Sequence, residues 1–158
     1  MTVDEPVLCE VDARGIATVT LNRPRVGNAY NDALIDGLID TFARLDRDAG
    51  LRCVVMKGAG KHFQLGADLA FLDRLRTVSP EENHEFSRRT VAAIRGLQSF
   101  SRPTISLVHG GCFGGGVRYR FGGSAGKYCR RYRRYETGHR DGFGERVAGR
   151  NRHLAFST

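Results

Sequence analysis

The 158-residue chain has no Trp, only two Met and four Pro, and no long apolar run. No stretch approaches the roughly 18 consecutive apolar residues of a membrane-spanning helix. The opening MTVDEPVLCE has neither a basic start nor an apolar h-region, so it does not read as a secretory signal, and an unexported, cytoplasmic chain is expected. The four cysteines, Cys9, Cys53, Cys112 and Cys129, are widely spread without a CxxC pair, which excludes a disulfide framework or zinc knuckle and predicts reduced thiols. No metal site is expected.

What is present is ordinary for a globular protein: 41% apolar and 27% charged residues, at a length typical of one domain. The formal charge of +8 is unevenly placed. Residues 1–117 hold 14 basic and 14 acidic residues, whereas 118–158 hold 11 and 3, so the last 41 residues carry the whole excess. That segment contains one Leu, one Val and no Ile, too little to form a periodic buried face. A composition break near residue 117 predicts two parts: a folded 1–117 and an irregular or disordered Arg/Gly-rich tail, 118–158.

Before the break the pattern is α/β. Val7 to Asp12 and Ile16 to Leu21 are β-prone runs around Arg14-Gly15, a hairpin signature. Leu34, Ile35, Leu38, Ile39, Phe42 and Leu45 recur at helical spacing, with Asn31 or Asp32 as N-cap, predicting a helix that ends near Gly50. The run Leu51 to Met56 is typical of a strand buried on both faces, closed by Gly58-Ala59-Gly60. Ser79-Pro80-Glu81-Glu82 is a capping box with Pro at the first helical position, and Phe86, Thr90, Ala93, Leu97 and Phe100 follow at helical spacing. After Pro103, Thr104 to Val108 predicts a further strand entering the glycine cluster at 110–116.

Glycines after a strand suggest a phosphate loop, and the known patterns fail. No register within 110–116 supplies glycines at i, i+2 and i+5, Gly60-Lys61 is followed by His62 rather than Ser or Thr, and neither Gly-x-Ser-x-Gly nor a zincin His pair occurs.

Three ordered motifs then carry a resemblance: Asn22-Arg23-Pro24 with Asn28-Ala29; His62-Phe63-Gln64-Leu65-Gly66-Ala67-Asp68-Leu69; and Pro103-Thr104-Ile105 with His109-Gly110 and Gly114-Gly115-Gly116. Over roughly residues 5–117 the chain resembles the crotonase superfamily of enoyl-CoA hydratases and isomerases. The resemblance implies a spiral of strand-strand-helix repeats and chemistry on an acyl-CoA thioester, most simply reversible hydration of a 2-enoyl-CoA, with no cofactor beyond the coenzyme A of the substrate. Such chemistry passes through a thioester enolate, so the protein must place N–H donors against the thioester oxygen. By similarity, the amides of Ala67 and Gly115 form that oxyanion hole, and Gln64, Gly66, Asp68 and Leu69 line the acyl-CoA pocket. Arg25 matches a position near the CoA phosphates, with a solvated surface cation as its alternative. Asp68 is read as the cap of the following helix, His62 and His109 as structural, and Cys112 as packing.

The pattern departs after Gly116. Hydratases of this family commonly place a glutamate in the next helical turn, where this chain has Arg118, which stays protonated and cannot serve as a base. Codons for residues 118–122, read one nucleotide later, permit the small-apolar helix expected there, so an out-of-frame C-terminus is expected, and with it a nearly inactive chain. Trimers or dimers of trimers are implied for intact relatives but not for this chain. The competing reading is an RNA-binding tail, in which Tyr and Phe interleave with arginines as in Tyr128 to Tyr135.

Overall fold

The computed structural model describes residues 5–114. Strands β1 (Val7–Val11) and β2 (Ile16–Leu21) form an antiparallel hairpin with Val7 opposite Leu21 and Val11 opposite Ala17. The Asp12 carboxylate makes the turn by accepting the N–H groups of Arg14 at 2.9 Å and Ile16 at 3.0 Å. Gly15 completes it at φ +75°, where a Cβ would stand 2.2 Å from the Gly50 carbonyl oxygen. Strand β3 (Cys53–Gly58) pairs parallel to β2, and β4 (Thr104–Leu107) parallel to β3, giving the order β1-β2-β3-β4. Helices α1 (Asp32–Asp46), α2 (Leu69–Leu75) and α3 (Pro80–Gln98) lie in the crossovers between the parallel strands. The expected α/β class is present.

The local signals explain the helix ends. Asn31, rather than Asp32, caps α1 by accepting the Leu34 N–H at 3.1 Å. Asp32 instead pairs with Arg74 of α2 and Arg89 of α3, tying the three helices together. Helix α1 stops at Asp46, short of the expected Gly50, because the Asp48 carboxylate takes the Gly50 N–H at 2.9 Å and offers the backbone a turn instead of another helical bond. At α3 the capping box is complete: Ser79 accepts from the Glu82 N–H and the Glu82 carboxylate accepts from the Ser79 N–H.

One sheet face and two helices make the core. Ala17, Val19, Leu21, Val54 and Met56 are buried with Leu34, Ile35, Leu38, Phe42 and Leu45 of α1 and Ala93, Ile94 and Leu97 of α3. Two expectations need correction here. Strand β3 starts at Cys53, with buried Leu51 in the preceding loop, and it is not buried on both faces. Val54 and Met56 are covered, whereas Cys53 and Val55 are half-buried and Lys57 is exposed. Among the described residues, helices cover only the face that carries Ala17, Val19 and Leu21.

Cys9, Cys53 and Cys112 take part in no disulfide, and no helix among the described residues is long and apolar enough to cross a membrane. Gly115, Gly116, Arg118, Cys129 and the basic segment 118–158, with the RNA-binding and frame-change readings that rest on it, lie outside the described residues.

Candidate functional site

Ligands of parallel sheets gather beyond the carboxyl ends of the strands, and here the three loops that leave β2, β3 and β4 meet there. They are residues 22–31, 59–68 and 108–114. Asn28 is the hub that joins the first two. Fully buried and left-handed at φ +57°, it accepts the Arg23 N–H at 2.8 Å and turns its amide toward the carbonyls of Ala59 (2.9 Å), His62 (2.8 Å) and Phe63 (3.2 Å). Asparagine tolerates the left-handed region that most side chains avoid, so one residue satisfies both backbone shape and buried polar groups.

The second and third loops run side by side as a short parallel pairing of Gln64 with Cys112. Gln64 N–H donates to the Gly111 carbonyl at 3.2 Å and Phe113 N–H donates to the Gln64 carbonyl at 2.9 Å. The Gln64 side chain, expected to line an acyl-CoA pocket, is fully buried, and its Oε1 accepts the Gly66 N–H at 3.2 Å. It shapes the loop from inside. Gly66 is buried at φ +98°, and Gly114 at φ +53° lies against it, backbone to backbone.

Ala67 sits at the point of closest order. Tyr30 N–H donates to the Gly66 carbonyl at 2.9 Å, and Asp68 N–H donates to the Tyr30 carbonyl at 3.0 Å. A trans peptide points its C=O and N–H in opposite directions, so with the Gly66 carbonyl turned to Tyr30 the Ala67 N–H points away from it. Among the described residues that N–H has no partner, and Ala67 is half-exposed. An unpaired, partly accessible donor beside glycine backbone is what an oxyanion site requires.

Asp68 caps α2, as expected: its Oδ1 accepts the N–H groups of Ala70 at 3.1 Å and Phe71 at 3.4 Å. Its Oδ2 also meets the Arg23 guanidinium at 2.8 Å, a partner the sequence did not indicate. Burial pushes the Asp68 carboxyl up, but the hydrogen bonds from Arg23, Phe71 and Ala70 and the charge of Arg23 together hold it below the usual carboxylate range. Leu69, the first residue of α2, is 77% exposed, which leaves a large apolar side chain at the rim. Arg25 is exposed in a one-turn 3-10 helix, Pro24–Val26, and has no ion pair among the described residues. Lys61 is likewise exposed.

The two histidines hold backbone. His62 Nδ1 accepts the Gly111 N–H at 2.9 Å, and His109 Nε2 lies 2.9 Å from the Gly60 carbonyl. The sequence carries no local sign of the roles of Arg23 and Asn28, because the partners that tie them to the second loop, Asp68 for Arg23 and Ala59, His62 and Phe63 for Asn28, lie 31 to 45 residues away. Among the described residues no group of three or more His, Cys, Asp or Glu is placed to hold a metal ion.

The chain matches the enoyl-CoA hydratase/isomerase family model over residues 12–121. It is 38% identical over 104 residues to the hydroxycinnamoyl-CoA hydratase-lyase of Pseudomonas fluorescens, covering 65% of this chain and 38% of that protein. To the 1,2-epoxyphenylacetyl-CoA isomerase of Escherichia coli K12 it is 32% identical over 120 residues, covering 75% of this chain and 45% of that one. An enoyl-CoA hydratase crystal structure from Mycobacterium smegmatis superposes with a TM-score of 0.72 at 30% identity, over 78% of this chain and 47% of its own. The chain thus spans less than half the length of each of these relatives. The family match and the parallel-sheet fold agree: the chain belongs to the enoyl-CoA hydratase/isomerase family and has the α/β fold of the crotonases.

Proposed function

We propose that the loops at the carboxyl end of the sheet bind an acyl-CoA thioester and that the Ala67 N–H donates to its carbonyl oxygen. The observation that carries this reading is the Ala67 amide itself, fixed by Tyr30 on both sides and without a partner among the described residues. As negative charge develops on the thioester oxygen, a fixed donor in a partly desolvated site stabilises it without having to reorganise. The amide of Gly115, next in chain to the Gly114 that abuts Gly66, would be the second donor. Arg25 and Lys61, exposed and without an ion pair among the described residues, offer cations to the CoA phosphates, and the exposed Leu69 offers apolar surface to the acyl chain. Coenzyme A enters as part of the substrate, and no further cofactor is invoked.

The reaction this supports is reversible hydration of a 2-enoyl-CoA. Hydration also needs a group that moves a proton to and from water, and the position where family hydratases hold a glutamate is Arg118. The chain therefore binds thioester but turns it over far below the usual 1–10³ s⁻¹ or so of enzymes. We further propose that the 158-residue protein does not assemble as a trimer, which gel filtration checks.

The test is calorimetric binding of several acyl-CoA esters, run beside an enoyl-CoA hydration assay, for the native chain and for Ala67→Pro, which deletes the N–H. Binding that Ala67→Pro weakens supports the reading. No binding of any ester, or binding indifferent to Ala67→Pro, overturns it.

A further inference from the structure

Arg23 lies on a loop that carries none of the proposed donors, yet its side chain is only 21% exposed and joins two segments 45 residues apart in sequence. One arm of the guanidinium donates to the Ala29 carbonyl and the other to Asp68 Oδ2. Ala29 precedes Tyr30, and Asp68 follows Ala67. The guanidinium therefore spans the small ladder in which Tyr30 N–H holds the Gly66 carbonyl and the Tyr30 carbonyl holds the Asp68 N–H. Those two backbone bonds, with the Gln64 Oε1 that accepts the Gly66 N–H, hold the 66–68 segment against Tyr30. A planar, two-armed cation across the ladder adds a side-chain tie that bears on its orientation. The Asp68 carboxylate divides its work accordingly: Oδ1 holds the first turn of α2 and Oδ2 takes Arg23.

We propose that Arg23 is a positioning residue that sets the direction of the Ala67 N–H by locking the 66–68 segment to the 29–30 segment through Asp68. The inference rests on the thioester reading for its functional consequence, but the geometry it asserts is independent of any ligand. Arg23 touches no reacting atom. Its effect is felt as alignment, and misplacement of a donor by a fraction of an ångström to an ångström costs about tenfold to a hundredfold.

The experiment uses the full chain with Arg23→Gln, Arg23→Lys, Asp68→Asn and the double variant Arg23→Gln/Asp68→Asn. Asp68→Asn keeps an oxygen for the α2 cap while removing the charge that Arg23 meets. Two readouts are taken from each folded variant. The first is the amide proton and nitrogen shift of Ala67 by NMR, without ligand. The second uses acetoacetyl-CoA, whose enolate absorbs in the near ultraviolet where its keto form does not, so the bound enolate fraction reports oxyanion stabilisation separately from affinity.

The expected result is a displaced Ala67 resonance in every variant and an enolate-to-keto ratio reduced about tenfold, with the dissociation constant changed little. Arg23→Lys, which keeps the charge but only one arm, should fall between. The double variant should be no worse than either single one, since both break the same link. If folded variants leave the Ala67 resonance in place, or the two single effects simply add, the proposal is overturned. If the native chain binds no acetoacetyl-CoA, the thioester reading falls, and the Ala67 resonance still decides the positioning role.

Discussion

A Cβ built on Gly114 would stand 3.3 Å from the Cα of Gly66, so the two loops of the candidate site approach each other closely through backbone. Both glycines have positive φ, +53° and +98°. Gly66→Ala meets only ordinary contacts, the nearest being the Phe113 carbonyl oxygen at 3.6 Å, so its cost is the left-handed backbone, about 1–2 kcal/mol. Gly110→Ala is different in kind. Its Cβ would lie 2.1 Å from the Lys61 carbonyl oxygen, and backbone cannot swing aside as a side chain can. Urea midpoints should therefore fall modestly for Gly66→Ala and severely, to the point of poor folding, for Gly110→Ala. Equal midpoints would contradict the steric account.

Asn28 should be the least replaceable polar residue near the site. Asn28→Ala removes the acceptor for Arg23 N–H and the donor facing three carbonyls, all in a fully buried position, and puts Ala in the left-handed region. Leaving buried polar groups unpaired costs about 1–3 kcal/mol, and the backbone strain adds to it. A loss of about 3 kcal/mol or more in chemical denaturation is expected. Asn28→Asp keeps the shape and the acceptor but aims an oxygen at carbonyl oxygens, so it should recover little of the loss.

How much of this was legible follows from how far apart the partners lie in the chain. The Ser79–Glu82 box and the Phe86, Ala93 and Leu97 spacing are local, and helix α3 could be read from them alone. The Asp12 hairpin is similarly short-range. Asn28 reaches Ala59, His62 and Phe63, 31 to 35 residues away, and Arg23 reaches Asp68 across 45, so composition and periodicity carry no trace of either link. The Leu51 to Met56 run misled for a related reason: apolar content does not say which faces a strand finds covered. The Gly66–Ala67 loop itself came from resemblance to a family, and the hydrogen bonds of Tyr30 supply the physical reason for it.

Ser79→Ala tests whether α3 belongs to the same cooperative unit as the sheet. It deletes one half of the capping box and should cost about 1 kcal/mol. Because Ala93, Ile94 and Leu97 are part of the common core, the loss should lower a single thermal transition by about 4 °C rather than split it. Two resolved transitions in calorimetry would show that α3 unfolds separately.

The Asp68 carboxylate gives the fold an acid-sensitive link whose direction is fixed. Its pKa is depressed in the folded chain, because the bonds from Arg23 and the α2 amides outweigh burial, while the unfolded chain returns it to about 3.9. A depressed carboxylate stabilises the fold above the unfolded pKa, and that contribution disappears as pH falls through the folded value. Below both values the Arg23–Asp68 pair contributes nothing. Asp68→Asn lacks the titration altogether, so it should be less stable than the native chain near pH 6, with the gap closing progressively below about pH 4. Asp12, held low by the Ile16 N–H and by Arg14, titrates in both proteins, so some acid dependence must survive in the variant. Urea unfolding from pH 6 down to pH 3 measures the gap directly. A gap that stays constant across that range would mean that Asp68 acts through its shape alone and that its charge, and with it the grip of Arg23, contributes nothing to the fold.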